Sequence, residues 1–256
     1  MKTVGVGVII ILVAFGCGKN KSAPNVEPDR AAAAVKRPII QNKGSDTLLY
    51  IAQAWAEAYA NVDADVSIAV NGGGSGTGIS ALINGTADIA NASRKMKDKE
   101  IEAAKKNGID PVEHIVGYDA LSVCVYKDNP LNEASVGQLA QIYKEGGEID
   151  KWSQLGVKVP GCDSDEIIRI SRQNSSGTYD YFKDIDPGNE NEYKLGSRDM
   201  HGSLDVVKIV EKTPCAIGYS GLAYAAPERV KKLCVKKAAD APCVTQASSP
   251  ITMPKQ

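Results

Sequence analysis

The chain has 256 residues, and its 30 Lys plus Arg nearly balance its 31 Asp plus Glu. The formal charge of −1 leaves no global basic field, which argues against nucleic acid as a ligand, because phosphate-backbone binders carry basic patches. At 43% hydrophobic residues the chain is long enough for one large or two small cores.

Residues 1–16 read as a signal peptide. Lys2 precedes an apolar run over 4–15, too short to span a bilayer but suited to a signal-peptide core. Its end, Ala14-Phe15-Gly16-Cys17, resembles the lipobox of bacterial lipoproteins, where cleavage exposes a cysteine that is then lipidated. Ala14 stands where leucine is usual, and a plain signal peptide with a stray Cys17 is the alternative reading. Loss of Lys2 with the leader takes the charge to −2, so any anion site must work through local donors. Residues 17–37 are polar and dotted with proline, and they predict a linker holding a domain off the membrane; some twenty flexible residues span roughly 25 Å.

From Pro38 the elements alternate. Residues 39–42 predict a strand that enters the turn Gly44-Ser45-Asp46-Thr47. Leu48, Ile51, Ala52, Trp55 and Tyr59 recur at helical spacing over 48–60, and Asn61 closes the helix. A strand over 66–70 runs into Gly72-Gly73-Gly74-Ser75-Gly76-Thr77-Gly78, followed by a helix over 79–83. A strand over 87–91 leads to Ser93-Arg94, and the charge-dense segment 97–107 predicts a surface helix. This βαβαβ order implies a mostly parallel sheet with helices on both faces, whose ligands bind at the carboxyl ends of the strands.

The second half continues with a strand over 118–126, a helix over 136–143, a compact turn over 149–156 and a strand over 166–171 that delivers Arg172. Arg172-Gln173-Asn174-Ser175-Ser176-Gly177-Thr178 then opens a helix with Tyr179, Asp180, Tyr181 and Phe182. A glycine-opened, hydroxyl-rich helix start offers unpaired N–H groups and a favourable dipole, and the arginine adds a planar charged fork that fits a tetrahedral oxyanion. A polar loop (186–193), a helix (203–213) and a strand (216–220) complete the pattern. Three donor-rich turns at strand-to-helix junctions point to capture of a small anion.

Competing readings of the glycine run fail on single residues. A Walker A loop needs lysine where Ile79 stands, and a nucleophile elbow needs glycine where Thr77 stands. A dinucleotide fingerprint forced as Gly76-x-Gly78-x-x-Ala81 would want its acidic residue near Asp98, which falls in the charged helix. A plain flexible turn is the remaining alternative. Asp46, Asp88, Asp119 and Asp180 have no activated nucleophile nearby, so no enzyme activity is predicted. There is no CxxC, and His114 and His201 stand apart, so neither metal nor cofactor is predicted. Arg94, followed by Lys95, Lys97 and Lys99, has a solvated-surface alternative. An exported chain allows disulfides: Cys234 with Cys243 is the first choice, Cys162 with Cys215 the second, and Cys124 reads as a buried thiol.

Taken in order, these motifs, with Ala87-Asp88-Ile89-Ala90-Asn91-Ala92-Ser93-Arg94, Trp152-Ser153-Gln154-Leu155-Gly156 and Ala216-Ile217-Gly218-Tyr219, resemble the substrate-binding lipoproteins of bacterial ABC phosphate importers, the PstS type. The likeness covers about 39–226. It implies a two-lobed periplasmic-binding-protein fold of α/β class, with mixed, mostly parallel sheets flanked by helices and a ligand cleft between the lobes. Lobe 1 would be discontinuous (38–124 and 218–256), and lobe 2 would span 125–217. The implied partners are inorganic phosphate and an ABC permease and ATPase, with a lipid anchor as the membrane contact and a monomeric state.

The implied phosphate contacts are Thr47 and Leu48, Arg172, Ser176, Gly177 and Thr178, and Ser75 or Gly76 from the glycine run. Ser45, Thr77, Ser93 and Arg94 complete the candidate set. Well-known members carry Ser-Asp where this chain has Ser93-Arg94, and that aspartate accepts a hydrogen bond from the phosphate proton. Arg94 here implies a second cationic fork, with Asp46 as the candidate replacement acceptor. Another tetrahedral oxyanion, or a sensor or adhesion role, are the alternatives.

Overall fold

A computed structural model describes residues 38–186 and 191–242. The predicted signal peptide, the linker with Cys17, and Cys243 lie outside the described residues.

The first part of the chain builds a parallel sheet in the order β2-β1-β3, from β1 (Ile39–Gly44), β2 (Ser67–Asn71) and β3 (Ile89–Asn91). Its crossovers are α1 (Leu49–Tyr59) and α2 (Ser75–Ile83), and α3 (Asp98–Lys106) follows β3. The predicted helix at 79–83 therefore starts four residues earlier, at Ser75. Glycine's poor helix propensity hid that first turn, and tertiary contact demands the same glycines: a Cβ on Gly78 would lie 2.3 Å from the Lys43 carbonyl oxygen. α2 buries Ser75, Gly78, Ile79 and Ala81. The apolar stripe of α1 behaves differently, since Ile51, Trp55 and Tyr59 are each more than a third exposed and Ala52 is buried.

The second part builds a mixed sheet in the order β7-β6-β8-β4-β9. β6 (Ile168–Arg172) lies parallel to β7 (Arg198–Met200) and β8 (Ala216–Gly221), while β4 (Leu121–Val125) runs antiparallel to β8 and to β9 (Lys231–Lys232). β4 is shorter than the predicted 118–126, and Tyr118 is 73% exposed. β5 (Glu133–Ser135) and β10 (Cys234–Lys236) form a small parallel pair. The helices are α4 (Val136–Tyr143), α5 (Gly177–Lys183) and α6 (Ser203–Val210), and the predicted turn near Trp152 is a 3-10 helix. The fold is thus mixed α/β with helix-flanked, largely parallel sheets, as expected.

The main core lies in this second part. Phe182 stacks on Tyr219 with ring centroids 3.9 Å apart, and Tyr143 meets both edge-on. Such pairs add about 0.5–1.5 kcal/mol beyond area burial, and here they set α4 and α5 against β8. The Tyr219 hydroxyl is paired with Ser171 Oγ at 2.7 Å, which fixes the end of β6 where Arg172 emerges. Cys162 and Cys215 form a disulfide, the second-choice pairing. Cys234 is also disulfide-bonded, and its expected partner Cys243 lies outside the described residues. Cys124 is a buried free thiol, as expected, and burial pushes its pKa up to about 12.

Candidate anion-binding site

The carboxyl ends of β1, β2, β3 and β6 converge, which follows from parallel strands feeding helices that pack back on their sheets. Ser45 and Thr47 follow β1, Ser75 opens α2, Ser93 follows β3, and Thr178 lies in the first turn of α5. The Ser93 hydroxyl lies 3.2 Å from Ser75 Oγ and 3.3 Å from Ser45 Oγ, and the Ser93 N–H donates to Ser75 Oγ. Thr47 Oγ1 lies 3.4 Å from Thr178 Oγ1, although 131 residues separate them. A Cβ on Gly177 would stand 2.4 Å from Ser93 Oγ and 2.6 Å from Ser75 Oγ, so only glycine lets α5 come this close. Hydroxyls from both sheets therefore meet in one place.

Arg172 is 1% exposed. Its Nε and Nη2 donate to the His201 carbonyl oxygen at 3.1 and 2.6 Å, and Nη1 donates to Ser203 Oγ at 3.0 Å. A guanidinium has five N–H donors, so one remains on each terminal nitrogen. Burial pulls its pKa down, and the charge of Asp46 acts in the opposite direction. The Asp46 Oδ2 lies 3.9 Å from Arg172 Nη2. Gly73 N–H donates to Asp46 Oδ1 at 2.9 Å, while Oδ2 is buried without a hydrogen-bond partner among the described residues. A carboxylate oxygen in that condition costs free energy until a donor arrives.

Several candidate residues are already committed elsewhere. The Leu48 N–H donates to the Ser45 carbonyl oxygen, and Gly76 N–H donates to the Ser175 carbonyl oxygen at 2.8 Å. Thr77 Oγ1 donates to the Gly73 carbonyl oxygen, and Ser176 Oγ caps α5 by accepting from the Thr178 and Tyr179 N–H groups. Arg94 turns away from the hydroxyls: its Nη atoms take both oxygens of Glu100, and Nε lies 2.8 Å from Asp180 Oδ2. The solvated-surface alternative for Arg94 does not hold either, since its side chain is 12% exposed.

Sequence reasoning missed Ser175, Ser203 and Tyr224. Ser175 Oγ donates to the Gly73 carbonyl oxygen, joining the second sheet's loop to the glycine run. Tyr224 OH donates to the Thr47 carbonyl oxygen across 177 residues, a pairing for which the sequence has no local signal. Ser175 stood inside the Arg172–Thr178 motif and could have been included.

The PBP superfamily domain model matches residues 22–248. The phosphate-binding protein PstS of Pseudomonas aeruginosa is 31% identical over 226 residues, covering 84% of this chain and 69% of that protein. The chain belongs to the PstS-type branch of the PBP superfamily. Protein SphX of Synechococcus elongatus is 33% identical over 199 residues, covering 75% of this chain and 56% of that protein. A Clostridium perfringens substrate-binding protein solved with bound phosphate superposes with a TM-score of 0.65 at 30% identity, covering 77% of this chain and 75% of that one. An ABC-type phosphate transport receptor of Vibrio cholerae gives 0.58 at 26% identity, with 78% and 77% covered.

Proposed function

We propose that this chain binds inorganic phosphate outside the cytoplasm and hands it to an ABC permease and ATPase, with no catalytic step of its own. Two lobes, 38–124 with 218–256 and 125–217, close on the anion as a monomer, tethered through Cys17. The hydroxyls of Ser45, Thr47, Ser75, Ser93 and Thr178, the backbone at Gly177, and the two spare N–H groups of Arg172 replace its hydration shell. Such donors, aligned in a closed crevice, gain strength from the low local dielectric.

The observation that carries this reading is the partnerless Asp46 Oδ2 beside Arg172. Phosphate near neutral pH keeps at least one P–O–H, which would donate to that oxygen. Sulfate has none and would leave two anionic oxygens facing each other, so the site rejects it. Calorimetric titration with phosphate, sulfate, molybdate and arsenate at two pH values tests the assignment. Phosphate and arsenate should bind, and sulfate should not; equal binding of sulfate overturns it.

A further inference from the structure

A charged cluster beside the hydroxyls has not been used by the site. Arg94 and Lys97 follow β3, Glu100 lies in the first turn of α3, and Asp180 lies in the first turn of α5. Glu100 grips both terminal nitrogens of Arg94, at 2.8 and 2.9 Å, and Arg94 Nη1 also donates to the Lys95 carbonyl oxygen. This bidentate hold fixes the guanidinium plane, and the remaining Nε, buried without an aligned hydrogen-bond acceptor among the described residues, meets the other sheet as an ion pair only. There Asp180 Oδ2 lies 2.8 Å from Arg94 Nε and 3.5 Å from Lys97 Nζ. The side chains of Arg94, Glu100 and Asp180 are 12%, 17% and 25% exposed, so salt screens this contact less than it would an open surface pair.

The charges divide unevenly across the seam. Arg94 and Lys97 against Glu100 leave one net positive charge on the first sheet's side, and Asp180 supplies one negative charge on the other. Asp180 also sits at the positive end of its helix, where a carboxylate is stabilised. Glu100 raises the Arg94 pKa, and Arg94 in turn holds the Glu100 carboxyl below the ordinary range, so this pair stays ionised at neutral pH. The adjoining backbone crosses the same seam through the Gly76 N–H bond to Ser175 and the Ser175 hydroxyl bond to Gly73.

We infer that Arg94, Lys97 and Asp180 form an electrostatic latch that holds the two sheets' ends together and slows anion release without touching the anion. The latch rests on the phosphate-binding reading for what it retains, but the contact itself does not. Arg94 is thus a positioning residue in the place where a ligand was predicted. Since the contact joins the two sheets' ends and does not touch the anion, its loss acts on dissociation and leaves the encounter with the open site unchanged.

The test uses inorganic phosphate and the variant Asp180→Asn. Stopped-flow release should quicken about fivefold to tenfold, association should stay within about twofold of the unaltered protein, and the salt dependence of release should weaken. Asp180→Glu should recover most of the slow release. A second measurement needs no ligand: amide exchange at Gly76, whose N–H is bonded across the seam, against Gly78, whose N–H is bonded to Gly74 within α2. Asp180→Asn should speed exchange at Gly76 severalfold and leave Gly78 unchanged. Release and Gly76 exchange both matching the unaltered protein overturn the latch, as does a loss confined to the association rate. If the unaltered protein takes up no phosphate, the functional reading fails, and Gly76 exchange alone decides the latch.

Discussion

Asp46 Oδ2 lies 3.9 Å from Arg172 Nη2, and no donor among the described residues is aligned on it. The two residues belong to different sheets: Asp46 follows β1, and Arg172 ends β6. Gly73 holds the carboxylate by its other oxygen, while His201 and Ser203 hold the guanidinium, so neither is free to swing onto its neighbour. A buried pair kept apart in this way is electrostatically matched but incompletely hydrogen-bonded. A ligand carrying both anionic oxygens and a proton completes it.

Asp46→Asn should therefore relax selectivity more than it weakens binding. The amide offers N–H donors where the carboxylate accepts, so sulfate gains a partner and loses a repulsion. The ratio of phosphate to sulfate affinity should fall by at least tenfold, about 1.4 kcal/mol, in parallel calorimetric titrations. An unchanged ratio would remove Asp46 from the selectivity mechanism.

Arg172→Ala should weaken phosphate binding by tenfold or more and also destabilise the fold, because the His201 carbonyl and the Asp46 carboxylate lose a buried cation. Arg172→Lys should not restore affinity, since a point charge cannot serve His201, Ser203 and an anion together. Calorimetry with a chemical-denaturation curve separates the two effects; near-normal affinity in Arg172→Ala refutes its role.

Gly177→Ala probes the close approach of α5. The new methyl group would enter the space held by Ser93 Oγ and Ser75 Oγ, at 2.4 and 2.6 Å from its carbon. Affinity should drop at least tenfold as α5 is pushed off the serines. The thermal midpoint without phosphate should also fall, because a methyl group forced into a buried, close-packed contact costs about 1–3 kcal/mol even where the backbone is helical and suits alanine. Wild-type affinity in this variant would mean that the serines do not face the ligand.

The Cys162–Cys215 bridge closes a loop with a sequence separation of 53 and lies against the buried Trp152, whose Nε1 donates to the Cys215 carbonyl oxygen. Loop-closure entropy sets its contribution at up to about 4 kcal/mol. The double variant Cys162→Ala with Cys215→Ala should lower unfolding free energy by about 2–4 kcal/mol in denaturant titrations. Phosphate affinity measured well below the unfolding transition should be retained.

The parallel β1–β3 unit was legible because the short strand-like segments over 39–42, 66–70 and 87–91 alternate with helical spacing and glycine turns. The short strands β5, β7, β9 and β10 were not: two or three residues are too few to show a period, and Arg198-Asp199-Met200 becomes a strand only beside β6. The stripe of α1 was read correctly as helical, but its spacing could not tell that Ile51, Trp55 and Tyr59 stay partly exposed.

By itself the sequence determined which residues could serve an anion. Hydroxyls, glycines and an arginine at strand-to-helix junctions are local chemistry, readable from a few neighbours along the chain. Only the tertiary structure decided which of them share one point. Thr47 meets Thr178 through the packing of two sheets, and Arg94 is claimed by Glu100 and Asp180 before any ligand can claim it. A side chain's donors go to the nearest well-placed acceptors, and across a seam those are set by the fold and not by spacing along the chain.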